Sequence, residues 1–470
     1  MSSGGNSASV YGGDEINAIV LDPGSYHTRI GYAGEDFPKV ITPSCYAIEK
    51  GNENQKQKRI FGDSINVPRL NYVVEPIMKD SMVIDWNTAL DQYKYYFHDF
   101  LKIDYKEQPI LITEPVWTEF KYRQELVENF YESFDFPALY LARTPTCISF
   151  QQGRPNCLIV DIGHDSASVT PVIDGISLLK NSMKTHYAGR FLNDQIRDLL
   201  DTQFPKVAIE NSYKIKSKIP TIYPQEARFE LKNLPKGITK SFEDYDRQKI
   251  WHEFKETVLE VPEKKITSSS KDTYSQDSYK RLFEFPSGQS IELSAERFEL
   301  ADALFEPQNY KFHSEHLEKQ YPPSNGELYL DSSYDDYRPL KRARKAESTP
   351  PPADPLSDLA SQIRGLSSLI SHAISTIDID LRSSVAHNII VTGGVSLIPQ
   401  LTERLYNELS NSNPGLKIRL HAAGNSSERV NQSWIGGSVL ASLGTFHQMW
   451  VSKAEYEEAG PERILKQRFR

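Results

Sequence analysis

The sequence is poor in cysteine, in long apolar runs and in net positive charge, and each shortage excludes a class of protein. The three cysteines, Cys45, Cys147 and Cys157, form neither a disulfide framework nor a zinc motif, so we expect a reducing compartment. No apolar run approaches the ~18 residues that a membrane helix requires. The net charge of −9 argues against broad, sequence-independent DNA binding, which needs a basic face.

The start of the sequence also lacks a targeting pattern. Met1 to Ser7 is not a basic segment followed by an apolar one, as a signal peptide would be, and residues 1–13, rich in serine and glycine, are predicted to be disordered. We therefore expect an intracellular, soluble chain. Its 470 residues are enough for two or three domains, and its acidity leaves contact with basic partners such as histones open.

One unit occurs twice in the sequence: a buried strand that delivers an aspartate and then turns sharply at a glycine. The run from Ile19 to Ser25 carries Asp22, and the run from Leu158 to Asp165 carries Asp161. The two aspartates are separated by about one domain length. Two ordinary β-hairpins are the plainer interpretation of either run alone.

The chemistry of such a turn favours a phosphate ligand. Gly24 and Gly163 would let the backbone approach a ligand closely, and successive N–H groups then form an anion site. Asp22 and Asp161 could each hold a divalent cation through water beside a phosphate. A third glycine turn follows the strand from Asn388 to Thr392. Because of this recurrence, a polyphosphate clamped between two halves of the protein is favoured over unrelated hairpins.

Alternating strands and helices predict an α/β fold. Pro109–Thr113 is a short buried strand, Lys121–Ser133 an amphipathic helix, and Pro399–Leu409 another helix. The sequence from Tyr310 to Pro355 contains several prolines and neither helical nor strand periodicity, so we predict a loop insertion there. The charged stretch from Pro205 to Lys280 yields no predicted helix or strand.

The three glycine turns, read in order, resemble the phosphate-1, phosphate-2 and adenosine motifs of the actin family. The similarity extends over residues 14–200, 281–307 and 360–470, and it includes Phe283–Gln289 and Trp434–Leu443. It implies an α/β, actin-like ATPase fold. In that fold two similar halves, four subdomains in all, surround a nucleotide cleft, here with a large disordered insertion.

Other motifs resemble the nuclear actin-related proteins of that family more than conventional actin: Tyr11–Glu15, Leu21–Tyr26, Thr113–Trp117, Gly153–Cys157 and Asp161–Asp165. The implied organisation is a disordered start at 1–13, a first half at 14–160 with a small lobe at about 45–80, a second half at 161–307 and 356–430, a loop insertion with a basic run at 308–355, and a segment at 431–470 that returns to the first half.

The resemblance implies ATP as the ligand, alone or with Mg²⁺ held through water by Asp22 and Asp161. Arg29 occupies a position where the family has a phosphate-facing lysine. Lys255 and Glu256 resemble a pair that lines the adenine and ribose pocket, although an exposed helical charge pair would look the same in sequence. The implied ligand-binding residues are Asp22, Gly24, Ser25, Tyr26, Arg29, Asp161, Gly163, His164, Gly189, Lys255, Glu256, Gly393, Gly394 and Leu397.

Departures from the family concentrate where hydrolysis would take place. The resemblance aligns Thr144 with the glutamine, and Ser168 with the histidine, that orient the attacking water. His164 and Asp165 replace a carboxylate and a glycine of the second hairpin, and Val430 replaces a lysine near the base. Threonine is too short to act as glutamine does across the same gap. We therefore expect ATP to remain bound as a structural ligand and hydrolysis to be inefficient.

Two functions of different classes follow. The first, implied by the resemblance, is a non-catalytic, ATP-binding scaffold subunit of chromatin-remodelling and histone acetyltransferase complexes in the nucleus. Its implied partners are monomeric actin, a long scaffold helix of a remodeller or acetyltransferase subunit, and histones or nucleosomes. The alternative is an active ATPase or phosphotransferase, since sugar kinases and heat-shock chaperones share the architecture.

The insertion and the small lobe bear on localisation and assembly. Pro339–Lys345 is a basic run that suits nuclear import, or else a solvated charge patch. The loop by which actin inserts into its neighbour has no recognisable counterpart in Cys45–Arg59. Because the insertion would also obstruct packing, we expect no filament formation, and we expect no membrane association.

Overall fold

Two central sheets, each built around one of the aspartate–glycine hairpins, form the frame of the molecule. The structure is a computed structural model that describes residues 18–49, 58–321, 327–328 and 365–469. The strands are β1 Ile19–Pro23, β2 His27–Tyr32, β3 Val40–Pro43, β4 Cys45–Glu49, β5 Arg59–Ile60, β6 Tyr72–Pro76, β7 Met78–Lys79, β8 Met82–Val83, β9 Ile110–Glu114, β10 Ala138–Arg143, β11 Cys157–Ile162, β12 Ala167–Ile173, β13 Ile176–Ser177, β14 Met183–Thr185, β15 Ile215–Ile219, β16 Thr221–Ile222, β17 Arg228–Leu231, β18 Arg281–Glu284, β19 Gln289–Leu293, β20 Glu327–Leu328, β21 Ile389–Thr392, β22 Leu420–His421 and β23 Val451–Ser452.

The helices are distributed over both halves and link the strands. They are α1 Trp86–Lys94, α2 Phe120–Glu128, α3 Thr144–Gln151, α4 Gly189–Gln203, α5 Lys240–Val258, α6 Ser268–Tyr274, α7 Ala295–Asp302, α8 Glu315–Gln320, α9 Leu366–Thr376, α10 Ile379–Ala386, α11 Leu401–Ser412, α12 Ser426–Ser442 and α13 Lys453–Gln467. In the described ranges, none of them combines the length and the apolarity needed to cross a membrane.

The two sheets repeat one pattern. The first has the strand order β23-β10-β9-β1-β2-β3, and the second β20-β14-β12-β11-β21-β22 with β13 paired to β12. In each sheet the aspartate strand pairs antiparallel with its hairpin partner and parallel with the strand on its other side. The register places Asp22 opposite Arg29, and Asp161 opposite both Ser168 and Thr392. The predicted α/β fold with two similar halves is therefore confirmed.

Each half has its own apolar core, and a third cluster packs α12 on the first half. The strand residues from Ile19 to Pro23 are all buried, as expected for a strand that is covered on both faces. The third cluster contains Val20, Cys147 and Trp434, and the Trp434 side chain is fully buried. Helix α12, which carries Trp434, thus connects the end of the chain to the first hairpin, and Val451 of β23 pairs with Leu139 in the first sheet.

The small lobe differs from the sequence-based expectation. The predicted unmatched loop begins at Cys45, but Cys45–Glu49 is a strand that pairs with both β5 and β6. The consecutive residues Tyr46, Ala47 and Ile48 form too short a run to identify a strand from sequence. Residues 50–57 of the predicted loop lie outside the described residues, and Arg59, at its end, begins β5.

The charged middle of the sequence contains the long helix α5, which the sequence analysis did not predict. Its apolar residues Phe242, Ile250, Trp251, Phe254 and Val258 are buried and follow a helical spacing. Charged residues lie between them, so the helical periodicity is not apparent from the composition of this segment. This helix is important below, because its C-terminal half reaches the site.

The first part of the predicted insertion is packed against the second half. We expected a loop from Tyr310, but α8 lies within it, and Phe312 and Tyr321 are buried against Phe191 of α4. Strand β20 pairs antiparallel with β14. The basic run 339–345 lies outside the described residues, so its predicted role in import stays a prediction.

Candidate nucleotide-binding cleft

A cavity of about 510 Å³ lies between the two hairpins and is the candidate site. Every ligand-binding residue predicted from the sequence lines it, although these residues come from five separate parts of the chain. They are Asp22, Gly24, Ser25, Tyr26 and Arg29 of the first hairpin, Asp161, Gly163 and His164 of the second, Gly189 of α4, Lys255 and Glu256 of α5, and Gly393, Gly394 and Leu397 after β21.

The two hairpins close with the same turn. The Gly24 N–H donates to the His27 carbonyl at 3.1 Å, and the Gly163 N–H donates to the Ser166 carbonyl at 3.0 Å. In the described part of the chain, the backbone amides of Ser25 and His164 donate to no other protein group. An unpaired amide that follows a glycine turn is suited to bind a phosphate oxygen, and each hairpin supplies one. The residues present therefore fit a polyphosphate ligand.

Asp22 is held in place by groups from three elements. Thr113 of β9 and Ser433 of α12 both donate to its Oδ1, Ser433 at 3.0 Å, and Arg29 Nη1 lies 3.4 Å from its Oδ2. Arg29 is itself oriented by Asn431, whose Oδ1 accepts from Nε at 2.6 Å. Asp22 is 7% exposed. Its position and the direction of Arg29 are therefore set by the fold.

Asp161 faces the same cavity without a comparable set of donors. Burial and the neighbouring Asp22 carboxylate raise the pKa of Asp161 to about 6, against the opposing effect of Arg29. A divalent cation near both carboxylates would relieve this repulsion. The two aspartates thus fit the predicted Mg²⁺ position, with the cation held through water beside a phosphate.

The residue after β21, Gly393, can only be a glycine. A Cβ on Gly393 would lie 2.6 Å from Asp161 Oδ1 and 2.4 Å from the Ile162 carbonyl oxygen, and its φ is +88°. Side chains avoid that backbone conformation. The third turn is therefore packed directly on the second hairpin, which is how the structure brings these two distant motifs together.

Lys255 is a buried residue of the cavity wall, whereas the side chain of Glu256 is 62% exposed, so the two do not form the exposed charge pair that the sequence left open. Its side chain is 5% exposed, its Nζ donates to the Gly189 carbonyl at 3.4 Å, and burial lowers its pKa to about 8. Glu256 lines the cavity one residue further on and accepts from His252 Nε2 at 3.1 Å. A buried ammonium of this kind is suited to an anionic or hydroxyl-rich ligand.

Three aromatic rings lie together in the wall of the cavity, an arrangement that the sequence analysis missed. The Tyr26 ring lies 4.8 Å from the His164 ring and 4.8 Å from the His252 ring, measured between ring centroids. Burial, with Lys255 and Arg190 nearby, lowers the pKa of His164 well below its usual value. His252 lies one helical turn before Glu256, so recognising α5 in the sequence would have identified it.

The turn between β7 and β8 contacts both hairpins. The Ser81 N–H donates to Ser25 Oγ at 2.8 Å, and the Asp80 N–H donates to Asp165 Oδ2 at 3.0 Å. Asp80 and Ser81 have φ values of 51° and 58°, so the turn is tight. The sequence carries no signal for these contacts, because neither residue type nor spacing connects them with the hairpins.

Thr144 and Ser168, which the resemblance aligns with the family's water-orienting side chains, both line the cavity. The Thr144 Oγ1 donates to the Glu114 carbonyl at 3.2 Å. Ser168 is buried on β12 and also lines the cavity, as does Val430. Neither hydroxyl reaches as far as glutamine or histidine would.

Two halves with one repeated sheet pattern, closing on a cavity lined by two aspartate–glycine hairpins, define an actin-type fold. The family model described as Actin matches residues 13–469, and the chain belongs to the actin family. It is 70% identical to a protein named Actin-related protein 4 from Debaryomyces hansenii, over 100% of both chains. It is 59% identical to the protein of that name from Candida albicans, with 99% of each chain covered. The Saccharomyces cerevisiae protein of that name is 38% identical over 98% of this chain and 99% of its own.

Proposed function

We propose that this chain is a non-catalytic, ATP-binding scaffold subunit of nuclear chromatin-remodelling and histone acetyltransferase complexes. In this role it pairs with monomeric actin on a long helix of a larger subunit and contacts histones or nucleosomes. ATP, with Mg²⁺ at Asp22 and Asp161, is a structural ligand. Similarity to the proteins named Actin-related protein 4 along the whole chain supports the choice of this branch of the family.

The observation that carries the non-catalytic role is the contrast between the two parts of the cleft. The groups suited to hold a polyphosphate, such as the amides of Ser25 and His164, are in place. The positions suited to orient an attacking water carry Thr144, whose hydroxyl is bound to the Glu114 carbonyl, and Ser168. Hydrolysis of ATP needs both the phosphate-binding groups and the water-orienting groups, whereas retention of ATP needs only the phosphate-binding groups.

The purified protein is expected to contain ATP and to hydrolyse it very slowly. Single-turnover phosphate release, after nucleotide content has been measured on dialysed protein, checks this. Replacing Thr144→Gln together with Ser168→His is expected to speed release at least about tenfold, because a positioned proton acceptor typically contributes more than that. Thr144→Gln alone serves as the control, because it leaves the buried Ser168 and the packing around it unchanged. Rapid release by the unaltered chain would favour the ATPase alternative instead.

The partners are tested by recovering the tagged full chain from nuclear extract. We expect actin and the large subunits of remodelling or acetyltransferase complexes to be recovered with it. Alone, the pure protein is expected to sediment as one slow species at all magnesium and potassium concentrations. An ordered polymer in the pellet would contradict the scaffold role, as would recovery of the chain without actin or any chromatin subunit.

A further inference from the structure

A surface of unusual charge lies where the small lobe meets the second half. Two segments form it: residues 67–72 of the small lobe and residues 231–240, which lead into α5. Neither segment contains an acidic residue, although the net charge of the chain is −9. We call the two segments together the basic surface. Its basic residues are Arg69, Lys232, Lys236 and Lys240.

The two segments are in direct contact and form one continuous surface. The Asn71 N–H donates to the Gly237 carbonyl at 2.9 Å, and Thr239 Oγ1 donates to the Tyr72 carbonyl. A Cβ on Gly237 would lie 3.5 Å from Leu70 Cδ2. The described lining of the cavity includes no residue of either segment. The basic surface is therefore separate from the nucleotide site.

The cations of the basic surface form no ion pair within the described ranges, unlike the lysines just before them. Lys214 Nζ lies 2.6 Å from a carboxylate oxygen of Glu243, and Lys216 Nζ lies 3.2 Å from one of Glu230. Arg69 instead donates to two backbone carbonyls, and the three lysines of the second segment are exposed. These cations can therefore meet an anionic partner without first giving up an ion pair.

Apolar side chains are exposed among these cations. Val67 is 53% exposed, Leu70 42% and Leu231 53%. Covering them with a partner's apolar groups would be favourable. A nucleic-acid backbone offers phosphates but no apolar group for this purpose. An acidic protein segment with large apolar side chains supplies both the charge and the apolar cover.

We infer that the basic surface binds a segment of a partner protein that combines carboxylates with large apolar side chains. The carboxylates contact Arg69 and the three lysines, and the apolar side chains cover Val67, Leu70 and Leu231. This partner segment is additional to the partners of the proposed function. Its binding requires no contact with the nucleotide, so it can be measured whether or not the cavity holds ATP.

Fluorescence anisotropy of a fluorescein-labelled peptide of repeated Asp-Leu-Glu-Tyr units, titrated with the purified full chain, tests the charged part of the contact. Lys232→Glu combined with Lys236→Glu is expected to bind this peptide at least about tenfold more weakly, because two attractions become repulsions. Lys206→Glu combined with Lys311→Glu is the matched control, since both lysines are exposed in the second half outside the basic surface. Equal binding by the two double variants would overturn the proposal.

The apolar part of the contact is tested separately. Leu70→Ser is expected to weaken binding, and a peptide with serine in place of leucine and tyrosine is expected to bind the unaltered chain at least about tenfold more weakly, because little apolar surface is then covered. Thermal unfolding of each variant checks that the fold is kept. Equal binding of the serine peptide would overturn the proposal, as would failure of the first peptide to bind. Tighter binding of a short DNA duplex through the same lysines would mark a nucleic-acid surface instead.

Discussion

Asp161→Asn is expected to stabilise the nucleotide-free protein at neutral pH and, at the same time, to weaken its binding of Mg-ATP. The half-buried carboxylate of Asp161 lies near Asp22, and its pKa is raised from the ordinary value of 3.8 to about 6. Folding therefore favours the protonated form. The resulting stability is present below about pH 4 and is lost as the pH rises through about 6.

The size of this effect follows from the pKa shift. Above about pH 6, the ionised carboxylate costs the nucleotide-free fold about 3 kcal/mol at most. Asparagine removes that cost, so thermal unfolding of the variant should occur at a higher temperature at pH 7.5, and its stability should change less between pH 4 and 6. With Mg-ATP the order reverses, because the neutral side chain attracts the cation less and ligand linkage contributes less.

Thermal unfolding with and without Mg-ATP, measured from pH 4 to 7.5, checks both directions. Asp244→Asn is the control, since Asp244 is an exposed aspartate of the same half. A lower melting temperature for nucleotide-free Asp161→Asn would contradict the repulsion between the two carboxylates. An equal gain from Mg-ATP in both proteins would contradict the placement of the cation.

Gly436→Ala is expected to destabilise the fold by more than about 4 kcal/mol, which is beyond the range of an ordinary surface change. A Cβ at this position would lie 1.9 Å from the Cys147 carbonyl oxygen, so α12 and α3 are in backbone contact there. Moving α12 away would also withdraw Ser433 from Asp22 and Trp434 from the Val20 carbonyl. Stability and nucleotide binding should be lost together.

Soluble yield and thermal unfolding measure this effect. Gly444→Ala, two residues beyond the end of α12, is the matched control because no atom lies within 4 Å of its added Cβ. If the Gly436→Ala protein unfolded at the temperature of the unaltered chain, α12 would have to shift without cost. The close packing of α12 on α3 would then not be required for stability.

The parts of the site that sequence could predict are those with local signals. Asp22 and Asp161 end buried apolar strands and precede glycine turns, so strand, turn and carboxylate are all encoded within about eight residues. Gly393 likewise follows a buried strand, β21. Each of the three motifs forms a strand and a turn, and the fold brings the three turns together at the cavity.

The remainder depends on contacts between distant segments. Helix α5 was missed because its apolar residues, such as Phe242 and Trp251, are separated by charged ones. Ser81 contacts Ser25 through its backbone N–H, which any residue type supplies, so no sequence pattern marks it. The strand Cys45–Glu49 is fixed by pairing with β6 rather than by its own composition.

The chain on both sides of residues 322–364 is anchored to the second half. Before this stretch, Phe312 and Tyr321 are buried against α4. After it, a Cβ on Gly365 would lie 1.6 Å from the Phe305 carbonyl oxygen. The described lining of the cavity contains no residue between these two anchors. A deletion between the anchors is therefore expected to leave the nucleotide cleft intact, because each anchor is held by contacts of its own.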